Sequence, residues 1–215
     1  MLDFHFHNGQ KHIVALVGAG GKTTVMYELA DYYASLGLKV LVTTSTHIMQ
    51  PTSESLPFKV VGTVEKGTGK LTALPKDELL SLMQAADLVL IEADGAKHKP
   101  CKVPRAGEPV IYDECTDVIG VVGMDALGGR VQDVCFRTEQ VCELLACDGE
   151  HILTEADIAK ILLSDKGTRK NVGNLPYYIV LNKCDTEELR QRAEKIKAML
   201  IDVGMNAEHI ILCHK

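Results

Sequence analysis

The sequence contains no CxxC pair, although seven cysteines are spread over its 215 residues. Structural zinc sites hold their cysteines at short, regular spacings, so this scatter argues against such a site. The odd count argues against a disulfide framework, and we expect free thiols in a reducing cytoplasm. No apolar run approaches the ~20 residues of a membrane helix, and the N-terminus lacks the apolar stretch of a secretory signal. We therefore expect a cytoplasmic protein without membrane contact.

Positive charge is also in short supply. The formal net charge is −6, whereas proteins that bind nucleic acid generally carry a broad basic face, so we expect no nucleic-acid partner. Hydrophobic residues make up 46% of the chain and charged residues 24%, which is ordinary for a globular protein. A chain of this length can bury a full hydrophobic core without disulfides or bound metal ions, so we expect one domain over residues 1–215.

Short apolar runs alternate along the chain with segments of helical periodicity. This alternation predicts βαβ units and a three-layer α/β fold with a mostly parallel sheet, and the sequence GAGGKTT at residues 18–24 makes the P-loop NTPase type the expected one. The predicted strands are 12–17, 39–44, 58–63, 87–93, 117–123, 177–182 and 208–213. The predicted helices are 22–36, 76–86, 137–147, 154–163 and 186–203. The predicted loops are 64–75, 94–109 and 165–175, and a small helical insertion is expected around 124–175.

Residues 18–24 read GAGGKTT and lie between a buried strand and a helix, which is the context of a phosphate-binding P-loop. Glycines allow a tight turn whose N–H groups face phosphate oxygens, and the helix adds its positive end. Lys22 is expected to act as a point charge on the β- and γ-phosphates and Thr23 to bind Mg²⁺. The predicted nucleotide-binding residues of this loop are Gly18, Ala19, Gly20, Gly21, Lys22, Thr23 and Thr24.

One position departs from the full pattern GxxxxGK[ST], which requires glycine at position 16, where this chain has Leu16. The loop is therefore the shorter GxxGKTT form, which resembles that of the Mur ligases. The alternative interpretation is a generic glycine-rich turn without a ligand.

Two carboxylates follow the apolar strand at 87–93. Because strand side chains alternate, Glu92 and Asp94 are expected on one face, near the nucleotide crevice of a parallel sheet. One would hold Mg²⁺ and the other would orient a hydrolytic water, so Lys22, Glu92 and Asp94 are the predicted catalytic residues. Thr44, in the hydroxyl-rich stretch 43–47, is a further candidate Mg²⁺ ligand beside Thr23, Glu92 and Asp94. Ordinary strand-end acids and β-propensity threonines are the alternative.

Residues 182–185 read NKCD after a predicted strand, which is the guanine-specificity pattern of GTPases. The Asp185 carboxylate could accept two hydrogen bonds from guanine that adenine does not offer. Asn182 would contact the base edge or tie down the loop, and the Lys183 stem would cover the base plane. A chance match is the alternative, and ATP then replaces GTP as the expected nucleotide.

The loop at 97–105 is basic and follows the acidic strand end directly. A charged loop is commonly just solvated, but its position also suits an anionic substrate. The candidate substrate-binding residues are Lys97, Lys99, Lys102 and Arg105. Cys101 within this basic loop could have a lowered pKa.

Four segments of the sequence together resemble the YqeC family: VGAGGKTT, VTTSTHI, IEADGAKHKPCKVPRAGEPVI and VLNKCD. The resemblance runs from about residue 12 to about residue 213, and its most specific part is 91–111. It implies an accessory role for selenium-dependent molybdenum hydroxylases, in selenium cofactor biosynthesis. The implied partners are a molybdenum hydroxylase client or a cofactor precursor.

The order of P-loop, IExxG and NKxD also resembles the metallochaperone GTPases that service urease and hydrogenase. Glu92 and Gly95 match that pattern and Asp94 does not. The likeness implies GTP hydrolysis coupled to cofactor delivery by a homodimer. Three hypotheses remain open: a Mg²⁺-dependent GTPase that serves a client, an ATP-dependent ligase or nucleotidyl or phosphoryl transferase acting on an anionic precursor, and a nucleotide switch without catalysis.

Overall fold

The computed structural model describes residues 2–51 and 55–214 of the chain. Its strands, in chain order, are β1 (His12–Gly18), β2 (Val40–Thr44), β3 (His47–Met49), β4 (Lys59–Val60), β5 (Thr63–Glu65), β6 (Lys70–Thr72), β7 (Leu88–Glu92), β8 (Cys101–Lys102), β9 (Asp117–Gly123), β10 (Cys135–Phe136), β11 (Tyr177–Asn182) and β12 (Ile210–Leu212). Its α-helices are α1 (Lys22–Ser35), α2 (Lys76–Gln84), α3 (Val131–Val134), α4 (Thr138–Leu145), α5 (Glu155–Leu163) and α6 (Glu187–Asp202).

Seven of these strands form one sheet in the order β12-β11-β9-β1-β7-β2-β4. Every neighbouring pair in it is parallel. β1 lies between β7 and β9, while the next long strand along the chain, β2, lies on the far side of β7. The carboxyl ends of β1, β2, β7 and β9 therefore meet at one edge of the sheet, which is where open α/β sheets bind their ligands.

Helices cover both faces of this sheet. The side chains of β1 alternate between the faces, with Ala15 and Val17 in one hydrophobic cluster and Val14 and Leu16 in the other. Apolar residues of α2, α5 and α6 belong to the first cluster, and those of α1 belong to the second. The result is three layers around a mostly parallel sheet, which confirms the predicted α/β class and is consistent with a P-loop-like fold.

The segment 64–75 was expected to be a loop, and this prediction was wrong. β5 and β6 pair antiparallel with each other, and β6 pairs antiparallel with β3, which forms a small second sheet. These strands have three residues each and mix charged with apolar side chains, so no apolar run marks them. The predicted strand at 58–63 also shortens, since only Lys59–Val60 pairs with β2.

The segment 124–175 contains α3, α4 and α5. Ile158, Ile161 and Leu162 on α5 are buried in the cluster that also holds Ile196 and Leu200 of α6. Thr154 caps α5, because its hydroxyl accepts the Asp157 amide while the Asp157 carboxylate accepts the Thr154 amide. Across the part of the chain that the structure describes, no helix has the length and apolar character needed to cross a bilayer.

Candidate functional site

The glycine-rich loop, residues 18–21, connects β1 to α1 at the carboxyl edge of the sheet. Its three glycines have φ angles of 96°, 82° and 110°, all in the left-handed region that L side chains rarely adopt. At Gly20 a Cβ atom would also lie 2.0 Å from the backbone nitrogen of Gly123, at the end of β9. The loop thus needs glycine both for its turn and for its close approach to β9.

Three of the loop's four amides already have protein acceptors. The N–H of Gly18 donates to Asp94 Oδ2 at 3.1 Å, that of Ala19 to the Val121 carbonyl at 2.9 Å, and that of Gly20 to the Lys99 carbonyl at 3.1 Å. Among the described residues, no acceptor pairs with the amides of residues 21–24, which form the N-terminal end of α1. The open donors therefore lie at the start of the helix, where its positive dipole end adds to them.

Lys22 is buried and folds back against the acidic strand end. Its Nζ donates to the Gly18 carbonyl at 2.7 Å and lies 3.1 Å from Asp94 Oδ1 and 3.9 Å from Glu92 Oε1. The distance to Asp94 is that of an ion pair, although no described residue makes a well-aligned hydrogen bond to that oxygen. The lysine of the loop and the two carboxylates after β7 thus form one cluster, as their spacing in the sequence predicts.

Thr23 and Glu92 form a short hydrogen-bonded pair at this edge. The Thr23 hydroxyl donates to Glu92 Oε2 at 2.6 Å. Burial raises the pKa of the Glu92 carboxyl above its ordinary value, although the Lys22 charge and the Thr23 hydroxyl act in the opposite direction. A hydroxyl and a carboxylate are the oxygen ligands that Mg²⁺ prefers, so the donor chemistry of this pair fits that ion.

The cluster extends inward as the buried charge network, defined here as the buried Lys22, Glu92, Asp94 and Lys102 with the partly buried Glu108 and Arg137. Lys102 Nζ lies 2.8 Å from Asp94 Oδ2 and 3.2 Å from Glu108 Oε2, and it also donates to the Gly95 carbonyl at 2.8 Å. Arg137 closes the network through Glu108. Three cations balance three carboxylates, which is the condition for keeping so many ionised groups out of water.

Thr44 is buried, and its hydroxyl makes hydrogen bonds to nearby backbone groups. It donates to the Glu92 carbonyl at 3.0 Å and accepts the Thr46 amide at 2.9 Å. Thr44 and Glu92 are also register partners in the β2–β7 pairing. Thr44 therefore lies beside the Thr23–Glu92 pair and holds the start of the 43–47 segment against β7.

The NKxD segment reaches the same edge from the other side of β9. Asn182 is buried, and its Nδ2 donates to the Gly20 carbonyl at 2.8 Å. Lys183 has a left-handed φ of 63°, and its Nζ lies 2.6 Å from Asp125 Oδ2. Asp185 is exposed. The structure thus brings the first residue of this motif into contact with the glycine-rich loop.

The four basic residues of the 97–105 loop have different environments. Lys97 is exposed, with Nζ 5.4 Å from the Phe136 ring centroid, and Arg105 is exposed with Nε 3.5 Å from Glu108. Lys99 is partly buried and donates to the Asp133 carbonyl. Only Lys102 is fully enclosed among the four, as a member of the buried charge network. Lys97, Lys99 and Arg105 therefore remain the members that an anionic substrate could reach from solvent.

The suggestion that the Cys101 thiol has a lowered pKa was wrong. Cys101 is fully buried on β8, opposite Cys135 of β10. A hydrogen bond with the Cys135 thiol and burial raise the pKa of Cys101 well above its ordinary value. The basic side chains that flank it in sequence do not compensate, since burial disfavours the thiolate.

Several residues at the site carry no local signal in the sequence. Glu108 and Arg137 join the network although 29 residues separate them. Tyr27, one turn into α1, packs on Phe58, and no described residue pairs with its buried hydroxyl. Burial and the Glu92 charge raise the pKa of Tyr27. Glu108 lies inside the segment 91–111 that carries the family resemblance, which is the one signal that could have marked it.

The fold and this site define an α/β protein that gathers a glycine-rich loop, a lysine and two carboxylates at the carboxyl edge of a parallel sheet. The family model described as YqeC protein matches residues 14–139, which is more than half of the chain. The chain therefore belongs to the YqeC family. It is also 29% identical over 181 residues to the protein named uncharacterized protein YqeC of Escherichia coli (strain K12), covering 74% of this chain and 71% of that protein.

Proposed function

We propose that this chain binds a nucleoside triphosphate with Mg²⁺ at the glycine-rich loop and hydrolyses it, with GTP preferred over ATP. The phosphates would lie at the start of α1, where the amides of residues 21–24 have no acceptor among the described residues. The amides of residues 18–20 donate to acceptors of the protein itself, so in this short loop only the amides from residue 21 onward can face a phosphate. The helix end and the Lys22 ammonium supply the remaining positive potential.

One contact supports this proposal above all, the 2.6 Å hydrogen bond from Thr23 to Glu92. It joins a hydroxyl from the loop to a carboxylate from a strand end 69 residues later, at the same edge as Lys22. Thr23 and Glu92 would hold Mg²⁺, with Asp94 nearby. The ion would neutralise charge on the β- and γ-phosphates.

Lys22 and Asp94 would exchange partners when the triphosphate binds. In this structure the ammonium neutralises Asp94 and Glu92 inside the protein. Phosphate oxygens would compete for it, and Lys22 would then stabilise charge that develops in the transition state. Asp94 keeps its tie to Lys102 at 2.8 Å, so its carboxylate stays at the edge of the sheet, where it would orient the attacking water.

The base would be read by the NKxD segment. The Asn182–Gly20 hydrogen bond ties this segment to the phosphate site. The exposed Asp185 would accept the two guanine hydrogen bonds, and the Lys183 stem would cover the base. Base recognition and phosphate binding would then depend on one another through the loop.

The physiological setting that we propose rests on what the sequence resemblance implies. We propose that nucleotide hydrolysis serves the maturation of a selenium-dependent molybdenum hydroxylase, with Lys97, Lys99 and Arg105 contacting the anionic cofactor precursor or the client. Turnover would be slow alone and faster with the client. An unchanged hydrolysis rate at saturating client would remove the coupling from the proposal.

The direct test is calorimetric titration of GTP and ATP, each with Mg²⁺, into the full-length chain. We expect GTP to bind at least about tenfold more tightly, or ~1.4 kcal/mol. Asp185→Ala should abolish the preference, and Thr23→Val should weaken both nucleotides. Glu187→Ala, an exposed acid two residues further along, is the matched control and should behave as wild type. Equal affinity for ATP and GTP in the wild type would refute the guanine assignment.

A second candidate is an ATP-dependent ligase or transferase, and the position of Leu16 favours it. Leu16 is fully buried within β1 and paired with Glu92, so the loop begins only at Gly18, as in the short GxxGKTT form. Such an enzyme would show negligible turnover of nucleotide alone and would require an anionic second substrate. Hydrolysis of GTP without any added substrate would exclude it.

A further inference from the structure

The N-terminal segment alternates between buried and outward-facing residues. Leu2, Phe4 and Phe6 are buried in the cluster that covers α1. The amides of Phe4 and Phe6 both donate to the Tyr33 hydroxyl, at 2.9 and 3.3 Å. The residues between them, Asp3, His5 and His7, therefore face outward from a fixed backbone.

These three outward residues bring two imidazoles and a carboxylate together. His5 Nδ1 lies 3.5 Å from Asp3 Oδ2, and His7 Nδ1 lies 3.7 Å from Asp3 Oδ1. One ligand atom from each residue lies within 4.8 Å of the other two. Two ligands of a tetrahedral ion with bonds of ~2.0 Å are ~3.3 Å apart. A shift of each imidazole Nδ1 by a fraction of an ångström would give that separation from one carboxylate oxygen, Oδ2 for His5 and Oδ1 for His7.

Hydrogen bonds to one of its oxygens fix the position of the Asp3 carboxylate. Asp3 Oδ1 accepts the His5 amide at 2.7 Å and the Tyr33 hydroxyl at 3.0 Å. Tyr33 is fully buried on α1, so its hydroxyl fixes the carboxylate and the backbone of Phe4 and Phe6 together. Hydrogen bonds of this kind orient metal ligands, and they leave Asp3 Oδ2 turned toward the His5 ring.

We infer that Asp3, His5 and His7 form a binding site for one divalent transition-metal ion of the zinc type. Imidazole nitrogens select Zn²⁺, Ni²⁺, Cu²⁺ or Fe²⁺ over Mg²⁺, so this site is chemically distinct from the hydroxyl and carboxylate pair at the glycine-rich loop. Three protein ligands leave a tetrahedral ion one open position. The side chains of His5 and His7 are 75% and 42% exposed, so a water molecule or a ligand from a partner can reach that position.

The test is a titration of Zn²⁺ against a chromophoric chelator with the tag-free, metal-stripped, full-length chain. We expect one zinc ion per chain. His5→Ala and His7→Ala should each weaken it at least about a hundredfold, since even a residue that only orients a ligand can cost 10–100-fold. His47→Ala is the matched control, because His47 is also exposed and near a carboxylate, Glu65 at 3.8 Å, but joins no such cluster within the described part of the chain. This control should bind as wild type.

The absorption spectrum of bound Co²⁺ distinguishes metal binding at this site from metal binding by the seven cysteine thiols. Co²⁺ bound to nitrogen and oxygen ligands should show a visible ligand-field spectrum without thiolate charge-transfer bands, and His5→Ala should remove it. Unchanged zinc affinity in a variant carrying both His5→Ala and His7→Ala, or thiolate bands with Co²⁺, would overturn the inference. Both rings are exposed, so the variants should keep the wild-type melting temperature without metal. The nucleotide titration is independent, and its outcome leaves this site unaffected.

Discussion

The Asn182 side chain donates a 2.8 Å hydrogen bond to the carbonyl of Gly20, which lies 162 residues earlier in the chain. Asn182 is 4% exposed, so this bond is shielded from water. Its Nδ2 would also be 2.6 Å from a Cβ atom at Gly21. Asn182, the last residue of β11 and the first of the NKxD motif, therefore supports the glycine-rich loop directly, and the two motifs act as one structural unit.

We predict that Asn182→Ala weakens GTP and ATP binding about equally. The variant leaves the buried Gly20 carbonyl without its partner, which costs ~1–3 kcal/mol and loosens the loop. We expect roughly tenfold weaker binding of both nucleotides, measured by calorimetry with Mg²⁺.

Asp185→Ala is the comparison for this prediction, because its effect should fall on GTP alone. If Asn182→Ala instead changed the ratio of GTP to ATP affinity and left ATP binding intact, Asn182 would contact the base and not the loop.

We predict that Gly20→Ala destabilises the fold far more than Gly107→Ala. Both glycines have left-handed φ angles, 82° and 77°, so both substitutions carry a backbone strain of ~1–2 kcal/mol. At Gly107 no atom of the described residues, its chain neighbours aside, lies within 4 Å of the added Cβ, whereas at Gly20 the Gly123 nitrogen lies at 2.0 Å. Overpacking should cost Gly20→Ala a further ~1–3 kcal/mol. Urea unfolding measures both, and equal losses would mean that β9 can move away from the loop.

The strands of the main sheet could be predicted because most of them are apolar runs between polar turns. The edge that they share follows from parallel topology, which is why Lys22, Thr23, Glu92 and Asp94 could be expected together. The small sheet could not be predicted in this way. Its strands pair across a sequence gap, His47–Met49 with Lys70–Thr72, and Val64 at the centre of the edge strand β5 is 57% exposed. β3 and β6 each bury only their central residue, Ile48 and Leu71, and a single buried apolar residue in three is too short a pattern to mark a strand.

The basic loop shows a second limit of sequence patterns. Lys97, Lys99, Lys102 and Arg105 are alike in sequence, yet only Lys102 is enclosed. Its burial depends on ion pairs with Asp94 and Glu108 of the same segment, and Glu108 is in turn paired with the distant Arg137. Pairing of buried charges is decided by tertiary packing, so composition alone cannot separate a structural lysine from a substrate-binding one.

We predict that Glu92→Gln stabilises the nucleotide-free protein at neutral pH. Burial raises the pKa of Glu92, so the folded state binds this proton more tightly than the unfolded chain. Its contribution to stability is then full below the ordinary pKa of 4.5 and is lost as pH rises through the raised value. Glutamine does not ionise, so the variant should gain ~0.5–2 kcal/mol at pH 8, and less in acid. Urea unfolding across this pH range measures the difference.

Glu155→Gln provides a control of opposite sign. The hydrogen bond from Arg192, at 2.9 Å, lowers the pKa of Glu155 although partial burial opposes it. Its contribution is present above the ordinary pKa and is lost as pH falls through the lowered value. Glu155→Gln should therefore be less stable than wild type at pH 8 and approach it in acid. If the stability of both variants relative to wild type changed in the same direction with pH, the effect would come from the loss of one negative charge in general and not from the raised pKa of Glu92.

We predict that Lys102→Met costs ~3–5 kcal/mol of folding stability, because it leaves Asp94 and Glu108 buried without their shared cation. Lys97→Met, on the same loop but exposed, should change stability by less than ~1 kcal/mol. Denaturant unfolding compares the two. If Lys102→Met kept wild-type stability and lost only an anionic substrate, Lys102 would be a binding residue. If Lys102→Met loses stability as expected, Lys102 has a structural role and fixes Asp94 against the loop amide of Gly18. Lys97, Lys99 and Arg105 are then the residues left to bind the substrate.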